Sequence, residues 1–443
     1  MPSLPLIVHA DAEAIVAWCG DRPLRAGRFL ADVQRLAALL PAGGHVMNLC
    51  SDRYRFTVGL AASIVAGKVS LLPPTHTPEM IVQMRRLAPD LFCLSDAADS
   101  AIDLPLLDYP RDAAPAVEFV VPQIDAGQVI AEVFTSGSSG LPIPHAKRWG
   151  SMVRSARGEA ARLGVDARFA LLGTVPPQHM YGLEATVLIA LQTGAALHCG
   201  RPFFAADICA ALAGLPRPRV LVTTPYHLRA VLAEVAAPPP ADLLLSATAP
   251  LSMELAAEAE ARFGAPLLEI YGCTETGQLA TRRSTQTQSW RLSPGVVLSV
   301  DADGACASGG HIDQPTRLSD FIELEADGDF RLLGRVADLI NIAGKRSSLA
   351  YLNHQLTSIP GVRDGTFVVP EAGAEVEAAI RLSALVVAPG LSQAELLRAL
   401  RERIDPVFLP RPLLLVEALP RNATGKLPSQ AVRELARRAL ESA

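Results

Sequence analysis

A chain of 443 residues, half of them hydrophobic and 19% charged, has the length for roughly two to four folding units and ample apolar content for a large core. Its net charge of −5 supplies no basic field, which excludes nucleic acid as the expected partner. An acidic small substrate then has to be held by local groups.

No stretch reaches about 18 uninterrupted apolar residues, so no transmembrane helix is expected; the run 58–67 is too short. The start, MPSLPLIVHADAEA, lacks the basic residues and small-residue cleavage site of a signal peptide. The cysteines stand singly at 19, 50, 93, 199, 209, 273 and 306. With no CxxC pair and an odd count, neither a disulfide frame nor a zinc site is expected, and a reducing cytoplasm fits better.

In chain order, AEAIVAWC (12–19) and ADVQRLAALL (31–40) read as helices, then VIAEVF (129–134) as a buried strand. GEAARLG, YHLRAVLAEVAA and SMELAAEAEARFG read as further helices, alternating with the strand-like FALLGTV, RVLVTT, DLLLSAT and PLLEIYG. Such alternation argues for an α/β fold with a largely parallel sheet. After about residue 290 the strands shorten, and VVLSVDADG and FIELEADGDFRLLG read as hairpins with Asp-Gly turns. From 336 onward a strand, a helix near 348–358, the strands DGTFVVP and IRLSALVV, the helix SQAELLRALRERI, the strand RPLLLVEALP and a helix over 428–442 make an α+β unit of ordinary domain size.

Four segments carry candidate chemistry. Thr135, Ser136, Gly137, Ser138, Ser139 and Gly140 follow the 129–134 strand; glycines let a backbone turn its amides inward and hydroxyls add donors, as in a phosphate-binding nest, although a flexible linker has the same composition. Tyr271-Gly272-Cys273-Thr274-Glu275-Thr276 ends a strand, where ligands of open α/β sheets bind. There Glu275 is a candidate magnesium ligand, and a helix cap at Thr274 is the alternative. Asp320 can accept both hydroxyls of a ribose and Arg335 can reach phosphate or ribose oxygens; isolated surface charges are the plainer reading. Gly425-Lys426 lies in a polar loop, usually a solvated turn. Yet Lys426 is one of only four lysines, with Lys68, Lys147 and Lys345, in a chain otherwise shifted to arginine. A compact ammonium fits where a planar guanidinium does not.

In this order, with Pro177-Gln178-His179-Met180-Tyr181-Gly182 and residues 246–251 between them, these segments resemble the superfamily of adenylate-forming enzymes. That superfamily includes acyl- and aryl-CoA synthetases, peptide-synthetase adenylation domains and luciferases. The resemblance runs from about residue 48 to Lys426. It implies a large multi-sheet α/β N-terminal domain over 1–335, and a small mobile α+β domain over 336–443 carrying the catalytic lysine. It implies ATP and magnesium as cofactors and an acid activated as an acyl-AMP. The 135–140 loop would hold the β- and γ-phosphates, Thr274 the α-phosphate and Glu275 magnesium. Ala247, Thr248, Ala249 and Tyr271 would flank the adenine, and Asp320 with Arg335 the ribose. His179, Tyr181 and Gly272 would shape the acyl site, and Lys426 would bridge the carboxylate and the α-phosphate. Gly344 would line the tunnel through which a thiol arrives.

Three features depart from the family pattern. Ile143 follows Pro142 where a lysine is usual, and Lys147 is the expected substitute. The hinge acid aligns with Ala337, next to Asp338, and the region before residue 135 is short. The stretch PIPHAKRWG, with Pro144, His145, Lys147 and Trp149, resembles ligases of aryl-polyene-type pigment pathways. That resemblance implies transfer of an aryl acid to the phosphopantetheine of an acyl carrier protein. Free coenzyme A is the alternative acceptor, and a catalytically degenerate acyl-binding or interaction protein is the alternative of another class. A kinase is disfavoured because no kinase loop set is present.

Overall fold

The computed structural model describes residues 2–97, 102–112, 114–115, 117–136, 142–301, 304–335, 339–342, 345–369, 382–422 and 427–441. Two sheets and the helices between them form the larger part. In the six-stranded sheet Val69–Leu72, His45–Asn48, Phe92–Ser95 and Leu106–Asp108 run parallel beside Val129–Ser136, and Pro142–Arg148 turns back antiparallel at the edge. The nine-stranded sheet has a parallel centre, Leu267–Cys273, Leu243–Ser246, Arg219–Thr223, Ala170–Gly173, Ala196–His198 and Ile15–Cys19. Antiparallel strands close its edges, among them Gly277–Arg282.

Central strands buried on both faces read as continuous apolar runs. Arg219–Thr223 and Leu243–Ser246 are buried at every position, as expected from their sequences. Helices Arg53–Val65 and Trp149–Leu163 fill the space between the sheets: Phe56, Leu60, Trp149 and Val153 share one core with Val46, Leu72 and Ile130 of the first sheet and Leu171, Val220 and Leu245 of the second. Both hairpins expected after residue 290 are present, Val296–Asp301 with Gly304–Gly309 and Asp320–Leu324 with Phe330–Arg335. The C-terminal residues build their own α+β unit. Its apolar clusters draw on Leu352, Phe367, Val386, Leu400 and Leu413, and on Leu385, Leu414 and Val432. Among the described residues no helix is long and apolar enough to cross a membrane.

Two expectations are corrected. Residues 12–19 are not a helix; Ile15–Cys19 is a strand between Ala196–His198 and Arg22–Arg25. The alanines suggest helix, but Ile15, Val16 and Trp18 are strand formers, and the gap beside a parallel strand decides the outcome. The cysteines are also not all free: Cys19 and Cys199 form a disulfide. They are 180 residues apart in sequence, with Cα atoms 5.1 Å apart, because the register pairs Trp18 with His198. Spacing along the chain carries no trace of that neighbourhood. The other five cysteines are free.

A buried cation holds the start of the Arg53–Val65 helix to the second sheet. Arg53, fully buried, donates to Thr186 Oγ1 at 2.6 Å, Gly173 O at 2.8 Å and Val175 O at 2.9 Å. Asp52, its neighbour, caps the helix by accepting from Arg55 N–H. These bonds fix the chain that runs into Pro176–His179.

Two imidazoles are buried without charge. Burial pushes His9 and His227 down to about 4. The unfolded chain takes up protons near pH 6.5 that the folded chain refuses, so this contribution is full above 6.5 and is lost as pH falls towards 4. We expect a loss of roughly 3 kcal/mol for each imidazole, read from urea unfolding at pH 7 and pH 4.5. His9→Gln is expected to lose its share of that slope; an unchanged slope contradicts the assignment.

Candidate active site

The site assembles where the antiparallel edge of one sheet meets the carboxyl ends of strands in the other. Leu267–Cys273 and Gly277–Arg282 pair antiparallel, with Thr274, Glu275 and Thr276 as the turn. The helix-cap alternative for Thr274 is therefore excluded: the segment is a hairpin. Two glycines permit it. A Cβ on Gly272 would run into the Gly277 carbonyl, and Gly277 itself has φ +74 with Glu184 Oε1 2.6 Å from where a Cβ would stand.

Before the turn, Tyr271 OH donates to Asp320 Oδ2 at 2.8 Å. The Tyr271 ring packs against Trp290 and Phe330, each centroid 5.6 Å away. Asp320 starts a strand whose register pairs it with Arg335. This bond and the strand register thus bring together Tyr271, Asp320 and the backbone of Arg335. Next to them, Ser246 ends its strand and the chain passes through Ala247, Thr248 and Ala249. Thr248 has φ +77, the one positive value for a non-glycine among the described residues. A β-branched residue in that region is strained, and such strain collects at ligand sites.

On the other side stands the Pro142–Arg148 strand, paired with Val129–Ser136. Thr135 Oγ1 and His145 Nε2 are 2.8 Å apart, and His145 Nε2 lies 3.7 Å from Glu275 Oε1. Lys147, 7% exposed, donates from Nζ to the Glu275 carbonyl at 2.9 Å. Burial pulls the Lys147 ammonium below the usual lysine range, opposed by Glu184, Cys273, Glu275 and Asp313 around it. Burial likewise lowers His145, with Lys147 adding to the fall and Glu275 opposing it, so a neutral imidazole is favoured. Four predicted residues, Thr135, Lys147, Thr274 and Glu275, therefore share one neighbourhood. The Ser136 backbone leads into it, while Gly137, Ser138, Ser139, Gly140, Gly344 and Lys426 lie outside the described residues.

His179 is the N-cap of a short helix, Met180–Gly182, with Nδ1 accepting from Tyr181 N–H at 3.3 Å. Gly182 must be glycine because a Cβ would overlap the Pro176 carbonyl. The helix continues as a π-helical turn, Leu183–Leu188, a distortion common at functional sites. It carries Glu184, which sequence reasoning missed. Glu184 is 4% exposed, accepts from Ser155 Oγ at 2.7 Å, and has its carboxyl raised by burial against the pull of Ser155 and Lys147. A lone acid in the apolar run YGLEATVLIAL was the only available signal. Glu184 lines a cavity of about 530 Å³ together with His145, Lys147, Glu275, His311 and Asp313.

This donor set fits a nucleotide. The ordered Asp320 carboxylate suits paired hydroxyls, and the partly exposed Glu275 carboxylate offers a hard oxygen to a divalent cation. Among the described residues, the only group of three metal-type side chains is Cys19, Asp52 and Cys199, and its two thiols are spent in the disulfide.

The AMP-binding enzyme family matches residues 8–303. A 4-coumarate–CoA ligase from Rhodobacter capsulatus is 30% identical over 298 residues, covering 66% of this chain and 73% of that protein. A salicylyl-CoA synthase / salicylate adenylyltransferase from Streptomyces sp is 26% identical over 390 residues, 77% of this chain and 69% of that one. Among solved structures, the o-succinylbenzoate coenzyme A synthetase of Bacillus subtilis with ATP and a magnesium ion superposes with a TM-score of 0.80 at 20% identity, covering 96% of this chain and 97% of that chain. An anthranilate CoA ligase in complex with anthranoyl-AMP gives 0.79 at 16% identity over 99% of each chain. At those identities the likeness is one of fold.

Gly277→Ala is expected to cost roughly 1–2 kcal/mol from its left-handed backbone alone and to displace the Glu184 carboxyl. Urea unfolding measures the first effect; wild-type stability in the variant contradicts the hairpin geometry.

Proposed function

The chain belongs to the AMP-binding enzyme family and is an AMP-forming acid–thiol ligase, and we propose that it activates an aryl or acyl carboxylic acid as its acyl-AMP and passes the acyl group to the phosphopantetheine thiol of an acyl carrier protein. The observation that supports the adenylation step is the convergence of Thr135, His145, Lys147 and Glu275 beside the Tyr271–Asp320 pair.

The chemistry is a problem of like charges. A carboxylate oxygen must reach the α-phosphorus of ATP, forming an acyl–phosphate bond as the bond to pyrophosphate breaks. Catalysis of such a step is mostly positioning and stabilisation of charge. In our reading the 135–140 loop holds the β- and γ-phosphates, Thr274 the α-phosphate, and Asp320 with Arg335 the ribose. The segment Ala247–Thr248–Ala249 and Tyr271 flank the adenine. Glu275 would hold magnesium, which supplies charge neutralisation on the leaving pyrophosphate. Lys147 stands in for the lysine absent at Ile143: its ammonium holds the Glu275 carbonyl and carries two further N–H donors for phosphate.

Lys426 completes the reading. On the domain division proposed here, 1–335 and a mobile 336–443, it would reach the carboxylate and the α-phosphate in one arrangement and withdraw in the next. Gly344 would then line the thiol path, and a few backbone torsions near Arg335, Ala337 and Asp338 would absorb the motion. His179, Tyr181 and Gly272 would form the acyl site. A second reading gives the acyl group to free coenzyme A; it is supported by relatives whose names are those of CoA ligases.

Lys426→Ala is expected to cut ATP–pyrophosphate exchange about 100-fold or more. Lys147→Ala should raise the Michaelis constant for ATP about tenfold, the worth of a charged hydrogen bond; an unchanged constant refutes its proposed role. Incubation with ATP, acid and either carrier protein or coenzyme A separates the acceptors. A mass increase on the carrier supports the first reading and a CoA thioester the second. No exchange with any of a broad panel of acids favours a degenerate binding protein.

A further inference from the structure

The sulfurs of Cys19 and Cys199 meet a carboxylate as well as each other. One ligand atom from each of Cys19, Cys199 and Asp52 lies within 4.8 Å of the other two. The three come from separate parts of the chain. Cys19 ends the Ile15–Cys19 strand, Cys199 follows the Ala196–His198 strand, and Asp52 caps the Arg53–Val65 helix. None of them has a role in the adenylation reading.

Their backbones are fixed. Cys199 N–H donates to the Trp18 carbonyl at 2.9 Å, and Arg53 N–H donates to the Cys199 carbonyl at 2.6 Å. Asp52 N–H donates to Asp96 Oδ2 at 3.1 Å, and Asp52 Oδ1 accepts from Arg55 N–H at 2.9 Å. Helix capping explains one of these bonds, but Asn or Ser would cap as well. Capping gives no reason for an anion to stand against two sulfurs. A carboxylate oriented by outer hydrogen bonds beside two cysteines is the arrangement of a metal ligand set.

Geometry and charge agree with that assignment. The cysteine Cα atoms are 5.1 Å apart. Tetrahedral zinc holds two thiolates at about 2.3 Å and so sets their sulfurs about 3.8 Å apart, within reach of Cα atoms that close. Two thiolates select zinc over magnesium or calcium, which take oxygen ligands, so this set is chemically distinct from the hard oxygen of Glu275. Two thiolates and a carboxylate outweigh a divalent ion by one negative charge. Arg53, next to Asp52 in sequence, is a fully buried cation whose bonds to Thr186, Gly173 and Val175 are all to uncharged oxygens. The surplus negative charge balances it.

We propose that Cys19, Cys199 and Asp52 form a redox-gated zinc site, closed while the disulfide stands and open to one Zn²⁺ once it is reduced. The reductant is a dithiol. Its two thiol hydrogens and two electrons pass to the cysteine pair, the Cys19–Cys199 bond breaks, and the dithiol closes to its own disulfide. Zinc then binds as the two cysteine protons leave to solvent, with water in the fourth position. Cys19, partly exposed at its strand end, is where a dithiol can attack. In either state the two strands are stapled, and the ion adds the start of the helix from which Arg53 reaches the Gly173 and Val175 carbonyls. The site stands independently of the adenylation reading.

The test uses the full-length protein, oxidised with diamide or reduced with dithiothreitol, and then freed of reagent without air. Thiol titration checks that the two preparations differ by the one cysteine pair. Each is incubated with zinc chloride and excess magnesium and gel-filtered, and its metal is counted by atomic emission. The reduced protein should retain one more zinc per chain than the oxidised one. Reduced Cys19→Ser and Cys199→Ser should fall to the oxidised value, and Cys306→Ser, which removes a free thiol elsewhere, should not. Asp52→Asn keeps a helix cap and should weaken zinc binding about tenfold or more. Zinc should raise the melting temperature of the reduced protein and leave that of the oxidised protein unmoved. Equal zinc in the two wild-type states overturns the proposal, and that comparison needs no variant. Full retention in Cys19→Ser, or wild-type affinity in Asp52→Asn, overturns it as well.

Discussion

The buried ammonium of Lys147 is the constraint on which the rest of the site depends. It comes from the edge of one sheet and bonds the carbonyl of a turn belonging to the other. A lysine at 7% exposure is costly to bury unless its charge is compensated, and Glu184, Glu275 and Asp313 lie around it to do so. The same four groups line the cavity. The arrangement therefore fixes where the Thr274–Glu275 turn stands relative to the strand that leads out of the 135–140 loop.

Close approach of backbone supplies the second half of that precision. Gly182, Gly272 and Gly277 each lie where a Cβ would meet a carbonyl or carboxyl oxygen. Between them they bring the Pro176–Gly182 segment, the hairpin turn and Glu184 together. Arg53 holds the carbonyls of Gly173 and Val175 just upstream. Tyr271, packed against Trp290 and Phe330, presents its hydroxyl to Asp320. Polar groups of the site are thus held by bonds and packing within the chain, which is what preorganisation requires.

Much of this was legible beforehand because it rests on local chemistry. Leu243–Ser246 and Arg219–Thr223 are apolar runs too short for helices and are strands. The Asp-Gly signals mark hairpins, and the YGCTE segment runs into a tight turn beside the Lys147 strand. What failed did so for want of neighbours. Residues 12–19 have a helical composition and become a strand because a parallel partner, Ala196–His198, waits for them. Cys19 and Cys199 look isolated until that same register sets them side by side. The helix cap proposed at Thr274 has the right residue types, but only the pairing of Leu267–Cys273 with Gly277–Arg282 decides against it. Glu184 gave still less signal: an acid in an apolar run has no meaning until the side chains opposite it are known.

The departure at Ile143 leaves an apolar side chain at the loop end of a strand whose buried end carries a lysine. Residues 143, 145 and 147 share one face of their strand, with cross-strand partners Thr135, Val133 and Ala131. Ile143, at the loop end, is half-exposed, and a cation there would act through solvent with its field weakened. Two pairs further in, Lys147 is buried and spends one donor on the Glu275 carbonyl. Its positive charge then acts through a medium of lower dielectric and through a turn that it also holds still. His145, between the two positions, is kept neutral by burial and by Lys147 itself, so it adds a hydrogen bond to Thr135 without a second charge. On this face the strand thus carries one cation, Lys147, set at the floor and not at the rim, where its charge holds the hairpin.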